Sequence, residues 1–223
     1  MTTNTHHDLG ELYSAYSAGT LDPAFALLVE TQAALRSDVA EETVIGEAIA
    51  GEVFDTEETA ELSDGLLART FEMIDAQRVS DMAHKRAAAA GRQLLDEVTR
   101  LPVPVFEPVI DAISENGWVT PTAGVRRLDL DVSSEAEVEI YRIEPGRSVP
   151  RHSHDGMEFT LVMTGGFTDE TGAYGPGDLS VKGPNDTHQP TADADGVCYT
   201  LAVRDGAVRL TGMLGVLQRL LQR

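Results

Sequence analysis

The chain has 223 residues, room for one large domain or two small ones. It carries 37 Asp and Glu against 17 Lys and Arg, a formal net charge of −20, which repels phosphate backbones and anionic headgroups, excludes direct nucleic-acid or membrane-surface binding, and suits a basic partner. Hydrophobic residues reach 42%, enough for a core, and the single cysteine, Cys198, excludes an intramolecular disulfide or a CxxC site.

Leu9, Leu12, Tyr13 and Tyr16 fall at helical spacing, with Gly19 as a stop. Asp22-Pro23 predicts an N-cap and first helical position for a second helix carrying Phe25, Leu28, Val29 and Leu35. A third is expected from Asp38 to Ala50, ending at Gly51. Ser63 opens a fourth with Leu66, Leu67, Thr70, Phe71 and Ile74 on one stripe. Ser37 to Leu67 holds ten acids and no Lys or Arg. Such a run reads either as a solvated helical face or as a docking arm for a basic protein surface.

Residues 79–99 read as a polar, Ala-rich helix on which His84 faces solvent. Leu101 to Pro108 has three prolines in eight residues and predicts a linker or extended segment, so the domain boundary is set near residue 100. Beyond it the period becomes two. Val138, Ile140 and Arg142 alternate with Glu139, Tyr141 and Ile143, and further strands are expected at 159–163, 178–181 and 197–203. Phe106 and Trp118 read as packing at the barrel's edge, Cys198 as a buried strand residue. A C-terminal amphipathic helix over 213–223 would cap the barrel or form a homodimer seam. The fold class is α+β, a helical domain over 1–100 followed by a jelly-roll β-barrel over 101–223. No apolar run reaches the roughly 18 residues of a membrane span, and the first residues lack a secretory pattern, so cytoplasm is the expected compartment.

The chemistry concentrates in Gly146 to Glu158. His152 and His154 are two apart, so on a strand both imidazoles leave one face. Glu158 can return to that face after the Asp155-Gly156 turn, and His188, after the next predicted strand, is the candidate fourth ligand. Three imidazoles and a carboxylate suit one divalent ion, zinc first and iron, manganese, nickel or copper behind it. An HxH pair arises by chance on polar strands, but the further spacings of Gly146, Glu158 and Gly165 argue against coincidence.

That pattern, G-x5-HxH-x3-E-x6-G, resembles the first motif of the cupin superfamily, and Gly177 to His188 a looser second motif. Pro184 lies one residue nearer the histidine than usual, and Asn185 stands where glycine is common. The resemblance implies that His152, His154, Glu158 and His188 are metal ligands inside the barrel. With the helical half included, nearly the whole chain resembles the ChrR-type zinc anti-sigma factors, through His7-Asp8-Leu9, Ala15-Tyr16-Ser17-Ala18-Gly19-Thr20-Leu21, Glu158 to Met163 and Phe167 to Thr171. Such proteins restrain extracytoplasmic-function sigma factors in the bacterial cytoplasm and answer to oxidative stress. Their helical domain holds its own zinc through a His and an HxxxCxxC run. Here His7 keeps the first position, but Gln32, Arg36 and Val39 take the others, and none binds zinc as imidazole or thiolate would. Packing among Leu12, Tyr16, Phe25, Leu28, Phe71 and Ile74 is expected to replace that metal. A cupin metalloenzyme, a dioxygenase or isomerase, is the alternative, with Thr160 and Val162 lining its pocket.

Overall fold

The computed structural model describes residues 9–75, 100–184, 186–206 and 208–210. The expected helices over 79–99 and 213–223, His7 and His84 lie outside them. Three helices lead: α1 (Gly10–Ser17), α2 (Pro23–Ala33) and α3 (Ser37–Phe54). Asp22 caps α2 as the sequence predicts, its Oδ1 accepting the Ala24 N–H at 2.9 Å, with Pro23 in the first turn. Tyr13, Val29 and Val39, one from each helix, make a small core flanked by Leu12, Tyr16 and Leu21.

α3 runs through Gly51 to Phe54 rather than ending there, because a glycine inside a helix costs only about 1 kcal/mol against alanine. Residues 66–75 are helical, but Phe71 and Ile74 are 58% and 46% exposed. They do not join the helical core as expected, since residues 51–75 are exposed throughout and carry that stripe away from it. Phe25 and Leu28 pack toward the barrel instead.

The proline-rich segment is also corrected. It is not extended but opens a further helix, α4 (Val103–Glu115). Pro102 sits at the N-cap and Pro104 in the first turn, where no N–H bond is lost. Pro108 lies inside and removes a donor, yet Val105, Phe106, Val109 and Ala112 bury one helical stripe that outweighs the loss.

The strands follow as β1 (Val119–Thr122), β2 (Val125–Leu130), β3 (Glu137–Ile143), β4 (His152–His154), β5 (Glu158–Thr164) and β6 (Phe167–Asp169). Then come β7 (Gly172–Tyr174), β8 (Leu179–Lys182), β9 (Thr187–His188), β10 (Thr191–Ala192), β11 (Cys198–Arg204) and β12 (Val208–Leu210). Six pair antiparallel in the order β1-β2-β3-β11-β5-β8. Two short sheets, β10-β6-β7 and β12-β4-β9, complete the roll. Val125, Ile143, Val162, Phe167, Ala192 and Cys198 fill its apolar interior.

β11 is buried along its whole length, which its double duty requires. Tyr199, Leu201 and Val203 point to a second, larger core shared with Ala24, Leu27 and Leu28 of α2 and the buried stripe of α4. Phe25 adds an edge-on contact to Phe159 with ring centroids 5.4 Å apart. α2, α4 and the big sheet therefore share one hydrophobic core. No helix among the described residues is long and apolar enough to cross a membrane.

Candidate metal centre

β4 is only three residues long, His-Ser-His, and the pleat sends both imidazoles inward. β9 pairs with it in the register His152↔His188, and Glu158 starts the next strand, β5. The two predicted pieces thus converge: His152, His154, Glu158 and His188 are all buried, and one ligand atom from each lies within 4.8 Å of the others. His188 Nε2 lies 3.1 Å from His152 Nε2, 3.0 Å from His154 Nε2 and 3.4 Å from Glu158 Oε1. Donors held about 2.0–2.1 Å from a tetrahedral zinc stand roughly 3.3 Å apart, so the spacing is that of a ligand set. Gly165, which closes the motif, has φ +69°, and a Cβ there would meet the Val197 carbonyl oxygen at 2.5 Å. Only glycine fits this turn beyond β5.

The hydrogen bonds behind the rings decide what the site can hold. His152 Nδ1 donates to the Pro150 carbonyl at 2.8 Å and His188 Nδ1 donates to Asp169 Oδ2 at 3.2 Å. With each Nδ1 donating outward, Nε2 is the nitrogen by which each ring faces the other, with a carboxylate beside them. Nitrogens turned inward in this way could be shared by one cation between them. His154 Nδ1, buried and 3.6 Å from Glu158 Oε2, has no hydrogen-bond partner among the described residues. The donor set fits one borderline divalent ion.

The electrostatics agree. Burial, opposed by Glu158, pushes the His154 imidazole down to about 4, so it is neutral at physiological pH. Burial raises the Glu158 carboxyl, but the surrounding imidazoles of His152, His188 and His154 outweigh it and hold the group well below the usual range. Burial lowers His188, and the neighbouring carboxylates of Asp169 and Glu158 more than reverse this. Thr160 donates to Glu158 Oε1 at 3.1 Å, and with Thr200, Ala202, Tyr141 and Phe167 it lines a cavity of about 30 Å³ beside His152 and Glu158. Thr160 thus lies where alternation puts it, while Val162 packs in the inner core. Cys198 is fully buried, and burial pushes its thiol up to about 12, so it is inert.

A family profile described as the ChrR cupin-like domain matches residues 107–208. The anti-sigma-E factor ChrR of Cereibacter sphaeroides is 32% identical over 212 residues, 95% of each chain. The chain belongs to the ChrR family. A crystal structure of Rhodobacter sphaeroides SigE in complex with the anti-sigma ChrR is similar over 90% of this chain and 98% of that one, with TM-score 0.66 and 31% identity. KdgF from Halomonas sp. matches over 41% of this chain and 87% of its own, with TM-score 0.37 and 18% identity.

In the helical half this ChrR-family chain lacks the ligand run that the resemblance implies, and the structure shows what stands in its place. Gln32 is 4% exposed; its Oε1 accepts from Tyr13 Oη at 2.9 Å, and its Nε2 donates to the Gly177 carbonyl at 3.1 Å. Val39 sits in the small helical core. Arg36 reaches Asp38 at 2.7 Å and Asp178 at 3.3 Å. Gly177, at φ +86°, leaves room for the Arg36 stem, which would stand 2.6 Å from a Cβ there. Those three residues do not form a metal site. Gln32 and Arg36 tie the end of α2 and the link after it to the turn before β8, and Val39 packs inside the helical core.

Proposed function

We propose that the protein is a cytoplasmic anti-sigma factor whose residues 1–100 hold an extracytoplasmic-function sigma factor. In this reading residues 101–223 hold one divalent ion, zinc before iron, manganese or nickel, on His152, His154, Glu158 and His188, and answer to oxidative stress. The observation that carries it is an uncovered apolar face. Ile45, Ile49 and Val53 recur every four residues along the outer side of α3 and are 56–62% exposed; further along the chain Phe54, Leu67 and Phe71 are 58–74% exposed. Soluble chains rarely leave such a face to water, and covering each side chain is worth about 1.5–3 kcal/mol.

Acids rim the patch: Glu41, Glu42, Glu47, Glu52, Asp55, Glu57 and Glu58. A sigma factor needs basic surfaces for promoter phosphates, so charge steers the encounter and the apolar face holds the complex. The relative of known structure, seen with SigE, supports the same partner class. The enzyme alternative calls for room beside the ion. The cavity there, about 30 Å³, takes one water and is far below the ~300–1,000 Å³ of a small-molecule pocket.

The test is co-purification and size-exclusion with each extracytoplasmic-function sigma factor of the source genome, using the full chain and the Ile45→Asp/Ile49→Asp variant. A complex is expected with the wild type. The variant should lose at least ~100-fold in affinity with unchanged helical circular dichroism, two hot-spot contacts of about 2 kcal/mol each being removed. No complex with any of them from a folded wild-type chain overturns the reading.

A further inference from the structure

We propose that Asp169, neutralised by Lys182, is the positioning residue of the metal centre. The inference rests on the reading of His152, His154, Glu158 and His188 as ligands. Asp169 ends β6, and its side chain is completely buried. Oδ1 accepts from the Thr171 N–H at 2.8 Å, the Thr171 hydroxyl at 2.6 Å and the Gly172 N–H at 3.2 Å. These three bonds leave the carboxylate no freedom to rotate. Oδ2 is thereby aimed inward, where it meets Lys182 Nζ at 3.0 Å and His188 Nδ1 at 3.2 Å.

Each part of this arrangement has a consequence at the ligand. Accepting from Nδ1 fixes the His188 tautomer and the ring's rotation, leaving Nε2 as the donor that faces His152 and Glu158. A buried carboxylate would be costly alone; Lys182, 2% exposed on β8 and also bonded to Thr171, supplies the compensating charge. The neighbouring Glu170 accepts from the Gln189 N–H at 3.0 Å and pairs with Arg151. The β6–β7 turn is therefore fastened to the residue after one ligand, His188, and the residue before another, His152.

The experiment measures cobalt(II) affinity, by competition with a chromophoric chelator, and the visible d–d spectrum. It compares wild type, Asp169→Asn, and Asp169→Leu/Lys182→Met, which replaces the ion pair by apolar groups of similar shape. Circular dichroism and melting of the metal-free forms check folding. Expected are a 10–100-fold loss of cobalt affinity and an altered d–d spectrum in the double variant, with Asp169→Asn, which keeps an acceptor oxygen, in between. A wild type that binds cobalt beside folded variants within about threefold of it, with the same spectrum, overturns the role of Asp169. A folded wild type that takes up no cobalt or zinc overturns the ligand reading itself, and this inference with it.

Discussion

His154 shows most directly how burial sets the chemistry of a single side chain. Its imidazole titrates near 4 in the folded chain against 6.5 ordinarily, so between these values the unfolded state binds the proton and the folded one does not. Stability of the metal-free protein must then fall as pH falls from 6.5 toward 4.5. His188, raised by its carboxylate partners, acts on the other side: its contribution is complete below 6.5 and fades as pH rises through its folded value. Glu158 and Asp169, both held low, keep their contribution throughout this window and lose it only in stronger acid. Urea unfolding at pH 4.5, 5.5 and 6.5 should show the midpoint declining with acid, and His154→Gln should flatten that decline. A midpoint that rises toward pH 4.5 contradicts the assignment.

At the same scale, His152, His154 and Glu158 are legible in the sequence because a strand's period of two and one turn bring them to one face, and His188 as a histidine directly after a predicted strand. Asp169 and the bond between Gln32 and Gly177 were not. Their partners lie 19 and 145 residues away, and no local pattern announces a contact that only the closed fold creates.

Among the elements, those with a period of their own were readable. The alternation in β3, β5, β8 and β11 and the Asp22-Pro23 start of α2 appear where expected. α4 differs: its proline spacing predicts an extended segment, whereas the stripe of Val105, Phe106, Val109 and Ala112 is helical and buried. The short strands β6, β7, β9 and β10, two or three residues each, carry too few positions to show a period. Pro108 gives the element-scale prediction. Pro108→Ala restores a backbone donor inside α4 but frees the unfolded chain; the first effect is up to ~3 kcal/mol and the second about 1, so stabilisation by about 1–2 kcal/mol is expected. Thermal unfolding of the variant tests this, and a lowered midpoint would mean that the ring's packing matters more than the missing bond.

For the whole molecule, the charge imbalance and the resemblance pointed to the partner class, while the exposed apolar face became visible only once α3 had a buried side and an open one. The buried side, Val39 and Thr43, faces the small helical core; the open side carries Ile45, Ile49 and Val53. α2 links the two functional units, giving Leu28 to the core shared with the barrel and Gln32 to the turn before β8. On the proposed reading the helical half, with Gln32 and Arg36 tied to the barrel and Val39 in the helical core, stands without an ion, and the barrel alone binds one. Native mass spectrometry of the full chain, with elemental analysis, tests that claim most directly. The account predicts one divalent ion per chain in the wild type and none in His152→Ala. No ion in the wild type, two ions, or one that survives the substitution would contradict it.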